Sequence, residues 1–169
     1  MKGSEINIKM KITSTRYEVE ESYFSKLIAE FGDEDTEIDI PDTVIKPEGE
    51  RIEISTEGIM CLKDGMVELK YEETELTGME GSTTSVSFSE NEPGLISMFR
   101  EGSVSTALVF EEGKRHHCIY ETPLMPFEIC VRTFTVDNRI LSDGILKLDY
   151  IIEIRGAKAE RNKFELRVY

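Results

Sequence analysis

The sequence predicts an all-β protein, an antiparallel up-and-down β-barrel of about eight to ten strands with a short helix in an acidic N-terminal insertion. Three observations carry that expectation. In Gly144–Ile154, GILKLDYIIEI, Leu146, Leu148, Tyr150, Ile152 and Ile154 share one side of a two-residue period, with Lys147, Asp149 and Glu153 on the other. That is the pattern of a half-buried strand. Similar runs recur from Arg51 to the C-terminus, separated by glycine, proline and Asn/Asp turns. No long helical crossover interrupts them, and closing such a meander into a barrel removes its edge strands.

The elements come in order. Glu5–Thr13 reads as a first strand with Ile6, Ile8, Met10 and Ile12 on one face. Arg16–Glu50 differs in character: it holds twelve acidic residues against three basic ones. Within it Ser22 is an N-cap for a short helix to Phe31, on which Phe24, Leu27, Ile28 and Phe31 share a face. Pro41 and Pro47 interrupt the chain beyond that helix, and the segment has too few apolar residues for a core of its own. Residues 1–169 are therefore one domain, with 16–50 an insertion or flap.

Beyond it, Arg51–Leu62 ends at Lys63-Asp64-Gly65, a hairpin signal. Met66–Thr74 places Val67, Leu69 and Tyr71 on one face, and Ser82–Ser89 turns Thr84, Val86 and Phe88 inward. Asn91-Glu92-Pro93-Gly94 turns into Leu95–Glu101. Gly102 turns into Val104–Glu111, and Gly113 into Arg115–Thr122. A long strand, Phe127–Ile140, meets Ser142-Asp143-Gly144, and Ile145–Arg155 comes next. After Gly156 a last strand carries Phe164, Leu166 and Val168 on one face.

Composition narrows the function. Net charge is -14, from 34 acidic and 20 basic residues among 169. Such a chain is repelled by nucleic acid and by anionic membrane surfaces. No apolar run reaches the length of about 20 residues that spans a bilayer as a helix. The start, MKGSEINIKMKI, lacks the apolar stretch of a secretory signal, so a cytoplasmic protein is expected. Cys61, Cys118 and Cys130 form no metal or disulfide pattern, and neither a cofactor nor a metal is expected.

The run ELKYEETELTGMEGSTTSVSF (Glu68–Phe88), then SMFREG (Ser97–Gly102), ALVFEEGKRHHCIYETP (Ala107–Pro123), VRT (Val131–Thr133) and GILKLDYIIEI resembles the YwiB-like family. These are small bacterial proteins of unknown function. The resemblance covers Arg51 to the C-terminus and implies a calycin-like, lipocalin-like barrel; it implies no catalytic residues. Leu124-Met125-Pro126 stands where that family tends to place a glycine turn, and the acidic insertion is longer than the family leads one to expect.

Candidate chemistry is sparse. His116 and His117 are adjacent on a strand, so they point to opposite faces and do not chelate one ion; the same geometry separates His117 from Cys118. Asp33–Asp39 alternates carboxylates like a calcium loop, but Ile38 and Val44 stand where an EF-hand needs Gly and Glu. A triphosphate-tunnel enzyme, which shares this size and topology, needs inward Arg and Lys on many strands; Leu69, Tyr71, Phe88, Leu148 and Ile152 make the inward faces apolar. Arg100 comes after Ile96 and Met98 on one face, and Arg132 lies between Cys130 and Phe134. A buried arginine needs a partner, for which Glu72, Glu101 or a ligand carboxylate are the candidates. Tyr71, Tyr120 and Tyr150 have the amphipathic rings of pocket walls.

The sequence therefore points to a binding module, a barrel holding a small, mostly apolar ligand, which in its anionic version is met by Arg132 or Arg100. The alternatives are a filled barrel that acts as a protein-interaction scaffold, with a protein partner or a second copy as a homodimer, and a tunnel-type enzyme.

Overall fold

The computed structural model describes residues 3–18, 49–74, 81–102, 105–121, 126–154 and 158–169. Ten strands occupy them: β1 (Ser4–Glu18), β2 (Glu50–Lys63), β3 (Met66–Glu72), β4 (Thr83–Ser89), β5 (Glu92–Glu101), β6 (Ser105–Glu111), β7 (Arg115–Glu121), β8 (Pro126–Arg139), β9 (Ile145–Ile154) and β10 (Lys158–Val168). A one-turn helix α1 (Ile140–Asp143) joins β8 to β9. Every strand pairs antiparallel with its neighbour in sequence, and β1 closes the barrel against β10. The up-and-down barrel expected from the alternation is the fold observed.

The strand boundaries refine the expectation. β1 runs on to Glu18, five residues past the last expected one, because Arg16 pairs with Glu50 on one side and with Asn162 on the other. Main-chain pairing on both flanks carries the strand beyond the point where its apolar pattern ends. Arg16–Glu18 and Glu50, read as part of the acidic insertion, are thus barrel wall. Residues 19–48, with the expected helix over Ser22–Phe31, lie outside the described residues. Glu92-Pro93-Gly94 belongs to β5 rather than to a turn, with a register irregularity between Ser87 and Ser89 on β4.

Two glycines are dictated by geometry. Asp64 and Gly65 both have positive φ, 51° and 78°, as a two-residue hairpin requires. Gly58 faces inward from β2, where a Cβ would collide with the Met10 side chain and the Lys70 carbonyl. Glycine there leaves Met10 room inside the barrel.

The interior is packed over most of its length. Val67, Leu69, Val86, Ile96, Met98, Phe110, Leu146 and Leu166 are wholly or almost wholly buried. The Phe110 and Tyr150 rings meet at 4.6 Å, tilted by 57°. Burying one such side chain is worth about 1.5–3 kcal/mol. Ile6, expected inside, is 55% exposed; it lies near the end of β1, where the barrel opens.

One seam interrupts the wall. β6 and β7 pair through Ser105↔Glu121 and Thr106↔Tyr120, and no further ladder pair joins them among the described residues. The turn after β6 bonds instead to β8: Gly113 N–H donates to the Thr133 carbonyl at 2.9 Å, and Thr133 N–H to the Lys114 carbonyl at 3.1 Å.

Candidate functional site

The inward residues change from apolar to polar at one end of the barrel. Cross-strand register lines up Tyr71↔Thr84, Thr84↔Arg100, Arg100↔Thr106 and Thr106↔Tyr120 in a single row across β3 to β7. This row lies at the end whose connections, 19–48, 75–80, 103–104, 122–125 and 155–157, are outside the described residues.

Glu73 is the hub. It continues the inward parity of Val67, Leu69 and Tyr71, and its backbone N–H bonds to the Ser82 carbonyl at 2.8 Å. The Thr84 hydroxyl donates to Glu73 Oε1 at 2.6 Å. Arg100 Nε stands 3.7 Å from the same oxygen, with side-chain exposures of 16% for Arg100 and 2% for Glu73. Burial pushes the Tyr71 phenol well above its ordinary range, and the Glu73 carboxylate adds to the shift.

Across the barrel, Arg16 and Glu160 face inward as a second pair, Nε to Oε2 at 3.7 Å. Tyr150 lies between the two pairs. Burial raises its phenol, against the pull of Arg100 and Arg16. Asn162, opposite both Arg16 and Tyr150, is buried beside them.

Two polar atoms of the row are left over. Arg100 Nε and Thr106 Oγ1 are buried and have no hydrogen-bond partner among the described residues, although their residues face each other across adjacent strands. Buried donors of native proteins are nearly always bonded. An anionic ligand oxygen would accept from either.

Three of the five sequence candidates meet here: Tyr71, Arg100 and Tyr150. Tyr120 enters through its backbone position in the row. Arg132 does not. Its neighbours Ile129 and Val131 belong to the interior cluster, so Arg132 points to the outer side of β8. There it is buried with Cys130 and Ile151, opposite Arg115 and Ile151 in register. Arg115 donates to Glu153 Oε2 at 2.7 Å. Although burial opposes its charge, the Glu153 carboxylate holds Arg115 above its ordinary value; burial lowers Arg132. The Cys130 thiol is pushed up to about 11, chiefly by burial. On the same outer face Arg161 grips both oxygens of Asp149 at 3.0 and 2.8 Å and stacks over the Phe134 ring at 5.1 Å.

The partner of Arg100 is Glu73, not Glu72 or Glu101. Period two already contains the reason: Glu72 alternates with the inward Tyr71, and Glu101 with the inward Arg100, so both carboxylates face out. Continuing the inward parity one step past Tyr71 finds Glu73. The histidines stand apart as expected, His116 Nε2 at 3.3 Å from Glu111 and His117 Nδ1 at 3.9 Å from Glu128. Arg16 and Arg100, both of inward parity, each face a glutamate; the tunnel-type alternative needs inward cations on many strands.

The fold has a solved counterpart. The structure is similar to the crystal structure of the ywiB protein from Bacillus subtilis, with a TM-score of 0.63 and 17% identity, over 98% of this chain and 94% of that one. At that identity the likeness concerns the fold. A search of the curated proteins finds no match. The family model described as "Domain of unknown function (DUF1934)" matches residues 38–166, from ahead of β2 almost to the end of β10. With the matching barrel beside it, that coverage settles the family: the chain belongs to the DUF1934 domain family.

Proposed function

We propose that this barrel is a small-molecule binder whose site is the polar end bounded by Tyr71, Glu73, Thr84, Arg100, Thr106 and Tyr150, and that its ligand is mostly apolar with one anionic group. The observation that carries the reading is that two residues facing each other in the row, Arg100 and Thr106, each bury an unbonded polar atom, Nε and Oγ1. A carboxylate or similar oxyanion would accept from either. The apolar part would lie against Phe110 and Tyr150, whose rings wall the interior beneath. The packed remainder of the barrel limits the ligand to this end.

Decanoate, a single carboxylate on an apolar chain, is a direct probe. Native mass spectrometry of gently purified protein, compared with its denatured mass, looks first for a retained ligand. Titration with decanoate followed by backbone NMR then locates the site. Shifts at Arg100 and Thr106, and an affinity at least tenfold weaker in Arg100→Gln, are expected. Arg132→Leu, on the outer face, should bind as well as the parent. Equal affinity for the parent and Arg100→Gln would sink the reading.

A further inference from the structure

The outer wall of β4, β5 and β6 differs from the rest of the barrel. Residues that alternate with the buried Thr84, Val86, Ile96, Met98, Leu108 and Phe110 must face out. They are Ser85, Ser87, Leu95, Ser97, Phe99, Ser105, Ala107 and Val109, and none is charged. In a chain with 32% charged residues, the other outer faces read very differently. On β1 and β2, for example, Lys9, Lys11, Arg51, Glu53 and Glu57 face out, and Lys11 is paired with Glu53 at 2.9 Å. Charge returns at the ends of the uncharged face, at Glu101 and Glu111.

Apolar surface is exposed there. Phe99 is 45% exposed and faces Ala107 in register. Ile119, one residue short of the Thr106↔Tyr120 pair on β7, is 61% exposed. An uncharged centre that exposes Phe99 and Ile119, inside a charged margin, shares the charge depletion of an interface core. From strand spacing and rise it measures about 15 by 15–20 Å, which with its margin suits a small, reversible contact.

We infer that this face is where two copies of the chain associate, sheet against sheet, about a two-fold axis. Charge selects the partner. A basic protein would be recognised by acidic surface, whereas this face offers none. Two copies each carrying -14 repel one another through most of their surface, and a charge-free face is the one across which they can approach. Serine and alanine side chains leave the sheet shallow enough for face-to-face packing, and a two-fold axis sets the Phe99–Ile119 stripe of one copy against the same stripe of the other.

Sedimentation velocity over a concentration series tests this. The full chain should pass from monomer to dimer as concentration rises. Raising salt from about 0.05 to 0.5 M should strengthen the association, because it screens the repulsion between copies. Phe99→Glu and Ile119→Glu should each weaken dimerisation at least tenfold, while Leu141→Glu, at an exposed apolar position elsewhere, should leave it unchanged. If a glutamate variant loses its circular dichroism spectrum, Ala107→Glu takes its place. A chain that stays monomeric up to about 1 mM, or dimers that persist in the variants, would overturn the proposal.

Discussion

Glu73 Oε1 accepts the Thr84 hydroxyl at 2.6 Å while Arg100 Nε stands 3.7 Å away, close enough for charge attraction but not bonded. Glu73 is almost fully buried, and Arg100 is the cation that faces it. Removing one member of a buried pair leaves the other uncompensated, at a cost of about 3–5 kcal/mol. Glu73→Leu should lose about 3 kcal/mol in urea unfolding. Glu73→Gln, which keeps an acceptor for Thr84, should lose less, about 1–2 kcal/mol. Glu73→Leu combined with Arg100→Leu should recover part of the loss. Additive losses in the double variant would show that the two side chains do not act as a pair.

Much of this is legible in the sequence because β-strands report their faces with period two. Alternation alone assigns Val67, Leu69, Tyr71, Val86 and Phe88 inward, and all five are buried. Alternation does not say which side is inside when both are apolar. On β8, Cys130 and Ile129 are both buried, and register against β9 is needed to put Arg132 outside. The polar row is hidden for another reason. Thr84, Arg100 and Thr106 lie on three strands and meet through the register of two successive hairpins. Strand length escapes the pattern where main-chain pairing, not side-chain alternation, extends β1 to Glu18.

Phenol titration is governed by the same burial. Tyr71 and Tyr150 are shifted up, so an unfolded chain releases these protons first as pH rises. Their contribution to stability is intact below the ordinary phenol value of about 10 and is lost progressively above it. Absorbance at the phenolate band should show two tyrosines that resist ionisation until the protein unfolds, and unfolding free energy should fall above about pH 10. Ionisation of all six tyrosines in one step without loss of fold would contradict the assignment.

The thiols should separate by environment. Cys118 and Cys130 are buried, while Cys61 is partly exposed. With its thiol pushed up to about 11, Cys130 is roughly one part in a thousand thiolate at pH 8. One thiol per chain, Cys61, should therefore react quickly with a disulfide reagent at pH 8, and the other two should appear after denaturant is added. Rapid modification of Cys130 in the folded protein would show that the outer face of β8 opens readily.

The seam predicts where the barrel breathes. β8 and β9 are laddered from Ile129↔Ile154 to Arg139↔Ile145, whereas β6 and β7 share the two pairs at Ser105 and Thr106. Amides without a ladder partner exchange with solvent through local fluctuation rather than global unfolding. Those of Ala107–Phe110 and His116–Ile119 that point across the seam should exchange at least tenfold faster than their strand neighbours that bond to β5 or β8. A ligand at Arg100 and Thr106 adjoins the paired end of the seam, so decanoate should slow exchange at the seam residues next to the Thr106↔Tyr120 pair. Uniform protection along β6 and β7 would mean that the two strands are joined in solution along their whole length.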